Sequence, residues 1–247
     1  MWSQKAGCTT VVNWFFFQVG LLDEARAHSR WIHNYENEVF KKQDRYQRRL
    51  QEAMASGDYT VVKVVRDPFR RAASSFLVFA DRPSARADHW TQPYWSAAEP
   101  WLAERGRKAS DGISFMEHLD FLTEELAKGF DRVNLHLSPQ HLPGEEAYSP
   151  SIVRIEDFAS WVREREVDLS LKDSTGARIF GSAHHHKVTA SRTQQLGERP
   201  ENYRLKRSEF TDHSFPDSKI LVNERSIGAL RAAYARDVTA YGALYDL

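Results

Sequence analysis

Two short clusters in the sequence have residue types suited to holding anions. The first is Lys5-Ala-Gly-Cys-Thr-Thr10, directly before an apolar stretch. Ala6, Gly7 and Cys8 are small enough for backbone N–H groups to approach an anion closely. A helix starting here would add its positive dipole end. Thr9 and Thr10 carry hydroxyls that can donate to phosphate oxygens, and Lys5 is a compact charge. The ATPase pattern, with Gly-Lys-Ser/Thr closing the loop, is absent because the lysine comes first. A plain helix start with a solvated lysine would read the same way. The second cluster is Arg66-Asp-Pro-Phe-Arg-Arg-Ala-Ala-Ser74. A guanidinium fork at Arg66 and a hydroxyl at Ser74 suit a second phosphate. The alternative is an arginine paired with a carboxylate to fasten a helix.

These clusters need elements to present them. Gly7–Leu22 reads as a helix entered through a small-residue turn. Thr9–Leu22 could also pass for a signal-peptide core, but its flanks are poor, with one lysine before it and no small-residue cleavage site after it. A buried helix fits better. Glu36–Ala55 has apolar residues at helical spacing and stops at Ser56-Gly57. Tyr59–Val65 is dominated by β-branched residues and predicts a parallel strand covered on both faces. Asp67 is a good N-cap and Pro68 a good first helical residue, so a helix is expected from Pro68 to about Ala80. The stretch 81–110 is expected as an irregular insert. Ser114 and Glu117 form a capping box. Val133–Leu137 and Ser151–Ile155 read as strands, with Glu156-Asp157 opening a short helix. The stretch 172–207 reads as polar and loop-rich, and a last helix is expected over Glu224–Leu244. Strand and helix alternate, which predicts an α/β fold in one domain over 1–247, with a mainly parallel central sheet flanked by helices. Ligands bind such sheets at the carboxyl ends of the strands, where both clusters would lie.

Composition sets the outer bounds. The chain has 247 residues and 41% are hydrophobic, enough for a sizeable core. Lysine plus arginine equals aspartate plus glutamate at 34 each, so no global basic field argues for nucleic acid. No run of ~20 apolar residues predicts a spanning helix. The single cysteine, Cys8, excludes an intrachain disulfide and a cysteine-based zinc site. It fits a reducing compartment, so a cytoplasmic setting is expected, with peripheral membrane association left open. His184-His185-His186 invites a metal reading, but adjacent residues rarely converge on one ion, so no metal is expected. Lys187 and Arg192 beyond it could cover a nucleotide or meet an anionic acceptor.

Taken together, the two clusters resemble the nucleotide-binding signature of sulfotransferases that use 3′-phosphoadenosine 5′-phosphosulfate (PAPS). In that family a Lys-x-x-Cys/Ser/Thr-Thr loop holds the 5′-phosphosulfate. An Arg-Asp-Pro-Phe strand end, with a serine eight residues after the arginine, holds the 3′-phosphate. Lys5, Cys8 and Thr9 match the first; Arg66 and Ser74 match the second with that spacing. The Cys-Thr variant resembles the Golgi-type carbohydrate enzymes and their bacterial relatives. Ile113–Glu117, His136-Leu-Ser-Pro-Gln140, Arg154–Phe158 and Tyr234–Gly242 resemble further family segments. The resemblance implies a phosphate-loop-like fold and transfer of a sulfuryl group to a hydroxyl, with a carbohydrate as acceptor. It implies that Lys5 stabilises the leaving phosphate oxygen. It also implies a histidine or glutamate as general base: His33, His136, or Glu36 or Glu38.

Three departures are visible. Gln4 replaces a usual proline, the paired cysteines of animal members are missing, and only three residues precede Gln4. The expected first strand is therefore truncated, or the true start lies upstream. A phosphate-loop kinase or nucleotide hydrolase, and a non-catalytic nucleotide-binding remnant, are the rival readings.

Overall fold

The computed structural model describes residues 1, 3–80, 91–180, 187–206, 209 and 214–247. In chain order the elements are α1 (Cys8–Gln18), α2 (Leu22–His28), α3 (Ile32–Glu38), α4 (Tyr46–Ser56), β1 (Val62–Val65), α5 (Pro68–Ala80), α6 (Gln92–Glu104) and α7 (Phe115–Lys128). There follow β2 (Ser151–Arg154), α8 (Phe158–Asp168), β3 (Lys187–Val188), α9 (Ala190–Gln195), β4 (Ser214–Phe215), α10 (Glu224–Ala233) and α11 (Ala235–Tyr245). They fall into two compact units. One comprises Met1–Arg66 with Leu142–His184, the other Asp67–His141 with His185–Leu247.

The first unit is built on α1. Its apolar residues run all round the helix, as a helix covered on several sides requires. Val12 and Phe16 pack with Leu22, Ala25, Ile32 and Tyr35 of α2 and α3. Val11 packs with Val64, Val153, Phe158 and Val162 of the strands and α8. The stretch compatible with a signal core is thus a helix packed on two sides, with Val11, Val12 and Phe16 buried and the rest of α1 half-buried. It ends earlier than expected, at Gln18, because Gly20 takes φ 76°. Gly20 N–H then donates to the Phe17 carbonyl and Leu21 N–H to the Phe16 carbonyl, a Schellman-type stop. Buried Glu166 of α8 accepts from Trp14 Nε1 (2.8 Å), Gln18 Nε2 (2.9 Å) and Ser174 N–H (3.2 Å), tying α1 to the segment after α8.

β1 and β2 pair in parallel, from Val62 opposite Ser151 to Val65 opposite Arg154. On β1's other edge, Met1 donates to the Val62 carbonyl and accepts from Val64 N–H. This is the hydrogen-bond pattern of a parallel neighbour. Lys63 interrupts the apolar run of β1 yet is buried, because Glu145 answers its charge there. The expected helix over Glu36–Ala55 is broken into α3 and α4. Phe40 leaves the helical path to pack on Phe15, Phe16 and Tyr46, and Arg45 turns left-handed at φ 62°.

The second unit buries an aromatic-rich core that includes Phe76, Phe79, Tyr94, Trp95, Phe115 and Phe121 beside aliphatic residues such as Leu102, Leu119 and Leu122. Asp67 caps α5 as expected, accepting from Phe69 N–H (2.8 Å) and Arg70 N–H (3.1 Å). The Ser114–Glu117 capping box is formed at α7. Three expectations are corrected. Residues 92–104 are the helix α6 rather than irregular chain, since Trp95, Trp101 and Leu102 bury its inner face. The last helix is split at buried Tyr234, whose hydroxyl reaches the Leu137 carbonyl at 2.8 Å. Val133–Leu137 is not a strand. Its carbonyls bond side chains instead of a ladder: Arg71 takes Leu135 (2.9 Å) and Ser138 (2.7 Å), and Ser75 takes His136 (2.8 Å). Among the described residues, helices dominate and the sheets are two parallel pairs, β1–β2 and β3–β4. This is compatible with an α/β fold, on a smaller sheet than expected. The stretch 172–207 contains β3 and α9 among its loops.

His118 is fully buried, with Nδ1 2.8 Å from the Tyr94 hydroxyl, and burial pushes its pKa down to about 3. The unfolded chain therefore binds a proton near pH 6.5 that the folded chain refuses, so stability falls as the pH drops from 6.5 towards 3. The loss approaches roughly 4 kcal/mol. Urea denaturation at pH 7 and pH 4 should show this loss, and His118→Gln should flatten it. An unchanged pH slope in the variant would contradict the assignment.

Candidate functional site

The Lys5–Thr10 segment is a tight loop feeding α1. Ala6 N–H bonds the Ser3 carbonyl (3.2 Å), and Lys5 and Gly7 both take left-handed conformations at φ 64° and 76°. Lys5 pays a steric cost there that a glycine would not. Position 7 favours glycine twice over: its φ is left-handed, and a Cβ would lie 2.1 Å from Cδ1 of Ile155, the residue following β2, so that this side chain would have to move. The loop thus turns tightly against the carboxyl end of the sheet and enters α1. No side chain caps this helix start, and its first turn has no acidic residue. The dipole's positive end is left with no carboxylate of its own first turn against it, which suits an anion.

Arg66 follows β1 directly, and its Nη1 donates to the Lys5 carbonyl at 3.3 Å. The leading residues of the two clusters, 61 positions apart, are therefore in contact in the first unit. Ser74 lies on α5, half-buried, in the second unit.

α3 brings a third group to the loop. His33 Nε2 lies 3.5 Å from Thr9 Oγ1, and its Nδ1 lies 2.6 Å from Glu36 Oε2. His33 and Glu36 are both buried, and Lys41 Nζ lies 2.6 Å from the other Glu36 oxygen. Burial raises the Glu36 carboxyl, but His33 and Lys41 outweigh it and hold the pKa below its ordinary value. Burial likewise opposes charge on His33, yet hydrogen bonds and charges from Cys8 and Glu36 prevail and push it up to about 9. Cys8 shows the counterpart. Burial raises its thiol, while His33 and the backbone N–H groups of Lys5 and Thr9 lower it further, for a net downward shift. The loop thus carries a Cys8–His33–Glu36–Lys41 chain of alternating charge tendency.

The other candidates stand elsewhere. His136 is in the second unit, where Asn134 Oδ1 holds its Nδ1 at 2.8 Å and its ring packs near Phe79. Glu38 pairs with His28 at 3.1 Å on the surface. Arg192 is engaged by Ser214 (3.2 Å) and Gln195 (3.1 Å). His184–His186 lie outside the described residues. Among the described residues no group of three His, Cys, Asp or Glu is arranged to hold a metal ion. No helix among them is long and apolar enough to cross a membrane. Sequence reasoning treated Glu36 only as an alternative base and passed over Lys41 and Arg71. The His33-x-x-Glu36 spacing was a usable signal, because residues three apart meet on a helix.

A family model described as the sulfotransferase family matches residues 4–160, more than half of the chain. The chain belongs to the sulfotransferase family. The matched stretch contains Lys5–Thr10, His33, Arg66, Ser74 and His136. No curated protein and no solved structure matches the chain. Family membership assigns sulfotransfer as the general activity, and the loop, the helix start and Arg66 are a donor set consistent with an anionic ligand.

The Gly7 constraint is directly testable. Gly7→Ala adds left-handed strain and a clash with Ile155, together costing about 2–4 kcal/mol. Thermal denaturation should show a Tm lower by several degrees. A Tm equal to wild type would mean the loop is not held as described.

Proposed function

We propose that this sulfotransferase takes its sulfuryl group from PAPS and places it on a hydroxyl of a carbohydrate acceptor, without a metal ion. The observation that carries the reading is the buried His33 imidazole set against Thr9 of the loop at 3.5 Å. A base and an anion-binding helix start are then side by side. PAPS supplies an activated sulfuryl group on a phosphate leaving group. In a phosphate-loop-like arrangement, the α1 N–H groups with the hydroxyls of Thr9 and Thr10 hold the 5′-phosphosulfate. Lys5 stabilises the leaving oxygen as charge develops on it. Arg66 and Ser74 take the 3′-phosphate, on the strength of the strand-end motif and its spacing. His33 removes the proton of the attacking hydroxyl. It is favoured over His136 because its ring touches the loop, with Nε2 3.5 Å from Thr9 Oγ1. The carbohydrate acceptor rests on the Cys-Thr form of the loop. The lone free thiol of Cys8 agrees with a cytoplasmic setting.

A ligand that binds only the native state raises its melting temperature. Adenosine 3′,5′-bisphosphate should raise the Tm, Arg66→Ala should remove most of the shift, and ATP should give little. An equal response to both nucleotides would overturn the donor assignment in favour of a general nucleotide-binding or phosphate-loop kinase reading.

A further inference from the structure

His33 has two ring nitrogens, and a base needs one of them on the side of the reacting hydroxyl. Glu36 settles which. An ionised carboxylate only accepts hydrogen bonds, so at 2.6 Å from Glu36 Oε2 the Nδ1 of His33 must carry the proton. Nε2 is then the nitrogen that meets the loop, with the Cys8 thiol bonded to it and Thr9 Oγ1 at 3.5 Å. Glu36 is itself buried and held from its other oxygen by Lys41 Nζ at 2.6 Å. The pair shares one short helix, so the spacing of three residues fixes ring and carboxylate together. This satisfies the geometric rule for an activated base: the base is oriented by a third group on the side away from the reacting atoms.

We propose that Glu36 is a positioning residue for His33, locking the Nδ1-protonated tautomer and aiming Nε2 at the loop, with Lys41 as the counter-charge that keeps Glu36 ionised. The proposal rests on the reading of His33 as the base. The charged and titratable groups facing α3 are accounted for on each packed element. Cys8 of α1 bonds His33, and Lys41 of the following turn bonds Glu36. On α2, Glu24 bonds Tyr35 and His28 pairs with Glu38. Among the described residues, Cys8 and Glu36 are the titratable groups acting on the His33 ring, and both favour its protonated form against burial. The elevated His33 titration follows from this pairing. The base form then gains on the acid form only towards pH 9, so turnover should rise with pH well above the range of an ordinary histidine.

The test is histidine-labelled nitrogen NMR of the full chain, free and with adenosine 3′,5′-bisphosphate, beside pH profiles of PAPS turnover with N-acetyllactosamine as the hydroxyl probe. Glu36→Gln should move the His33 titration down towards its ordinary value, short of it because Cys8 remains, and should mix the two tautomers. Its acidic limb should shift down while the high-pH plateau falls on the order of a hundredfold at unchanged KM for PAPS. A merely structural carboxylate would lower the plateau without moving the limb. Where Glu36→Gln fails to fold, Lys41→Met decides, since Lys41 lies at the surface end of the chain of charges. Leaving Glu36 with His33 alone, it should move the titration up. A His33 titration and tautomer unchanged in whichever variant folds would overturn the proposal. His33→Ala separates the two readings. Wild-type turnover in His33→Ala, with the titration still shifted by Glu36→Gln, sinks the base assignment and leaves the Glu36–His33 coupling standing. Lost turnover in His33→Ala, with an unmoved titration in Glu36→Gln, keeps the base and removes Glu36.

Discussion

The left-handed turn at Gly7 is the constraint on which the candidate site depends. The chain must reverse within a few residues of Lys5 and enter α1 while Ile155 fills the space a side chain would need. That close approach seats the loop on the end of β2. The first turn of α1 beyond it has no side-chain cap and no acidic residue, and the Lys5 carbonyl lies within reach of Arg66. Cys8 and Thr9 lie beside His33. A larger residue at position 7 would strain this turn and press on Ile155, at the point where the loop meets the sheet.

The second unit has its own polar constraint. Arg71 is fully buried, and an unpartnered charge there would cost several kcal/mol. It is satisfied by the carbonyls of Leu135 and Ser138, while Tyr234 takes that of Leu137. Asp237 completes the clamp, accepting from His141 N–H at 2.8 Å. Its burial raises its carboxyl pKa, against the lowering effect of Gln140, His141 and Arg71. The segment His136–Gln140 is therefore held by side chains rather than by a strand ladder. The Arg-Asp-Pro-Phe-x-Arg motif thus carries two jobs. Its first arginine meets the loop, and its last fastens this irregular segment. The Tyr-x-x-Asp of the closing helices serves the same fastening.

Local signals carried much of this into the sequence. The Asp67-Pro68 helix start and the Ser114–Glu117 box act over a few residues and appear as read, while the β-branched run before Arg66 forms a strand only over Val62–Val65, with Tyr59 exposed. The failures were tertiary. Phe40 looked like one more apolar position at helical spacing, but its contacts with Phe15 and Phe16 pull the chain out of the helix. The Val133–Leu137 stretch had strand composition, but Arg71 and Tyr234 compete for its carbonyls from distant positions. Within the site, Lys5–Thr10, Arg66 and His33 were legible as residue types at family spacings. The contacts of Arg66 with the loop and of Lys41 with Glu36 depend on how the chain closes and had no local signature.

The most direct test of the central claim is a structure of the protein with adenosine 3′,5′-bisphosphate bound. The 5′-phosphate should sit on the N–H groups that open α1, with Lys5 Nζ and the hydroxyls of Thr9 or Thr10 within hydrogen-bond reach, and with the His33 ring facing the same space. A 5′-phosphate bound away from the Lys5–Thr10 loop, or a His33 ring turned from it, would contradict the claim that this loop and this histidine form the sulfuryl-transfer site.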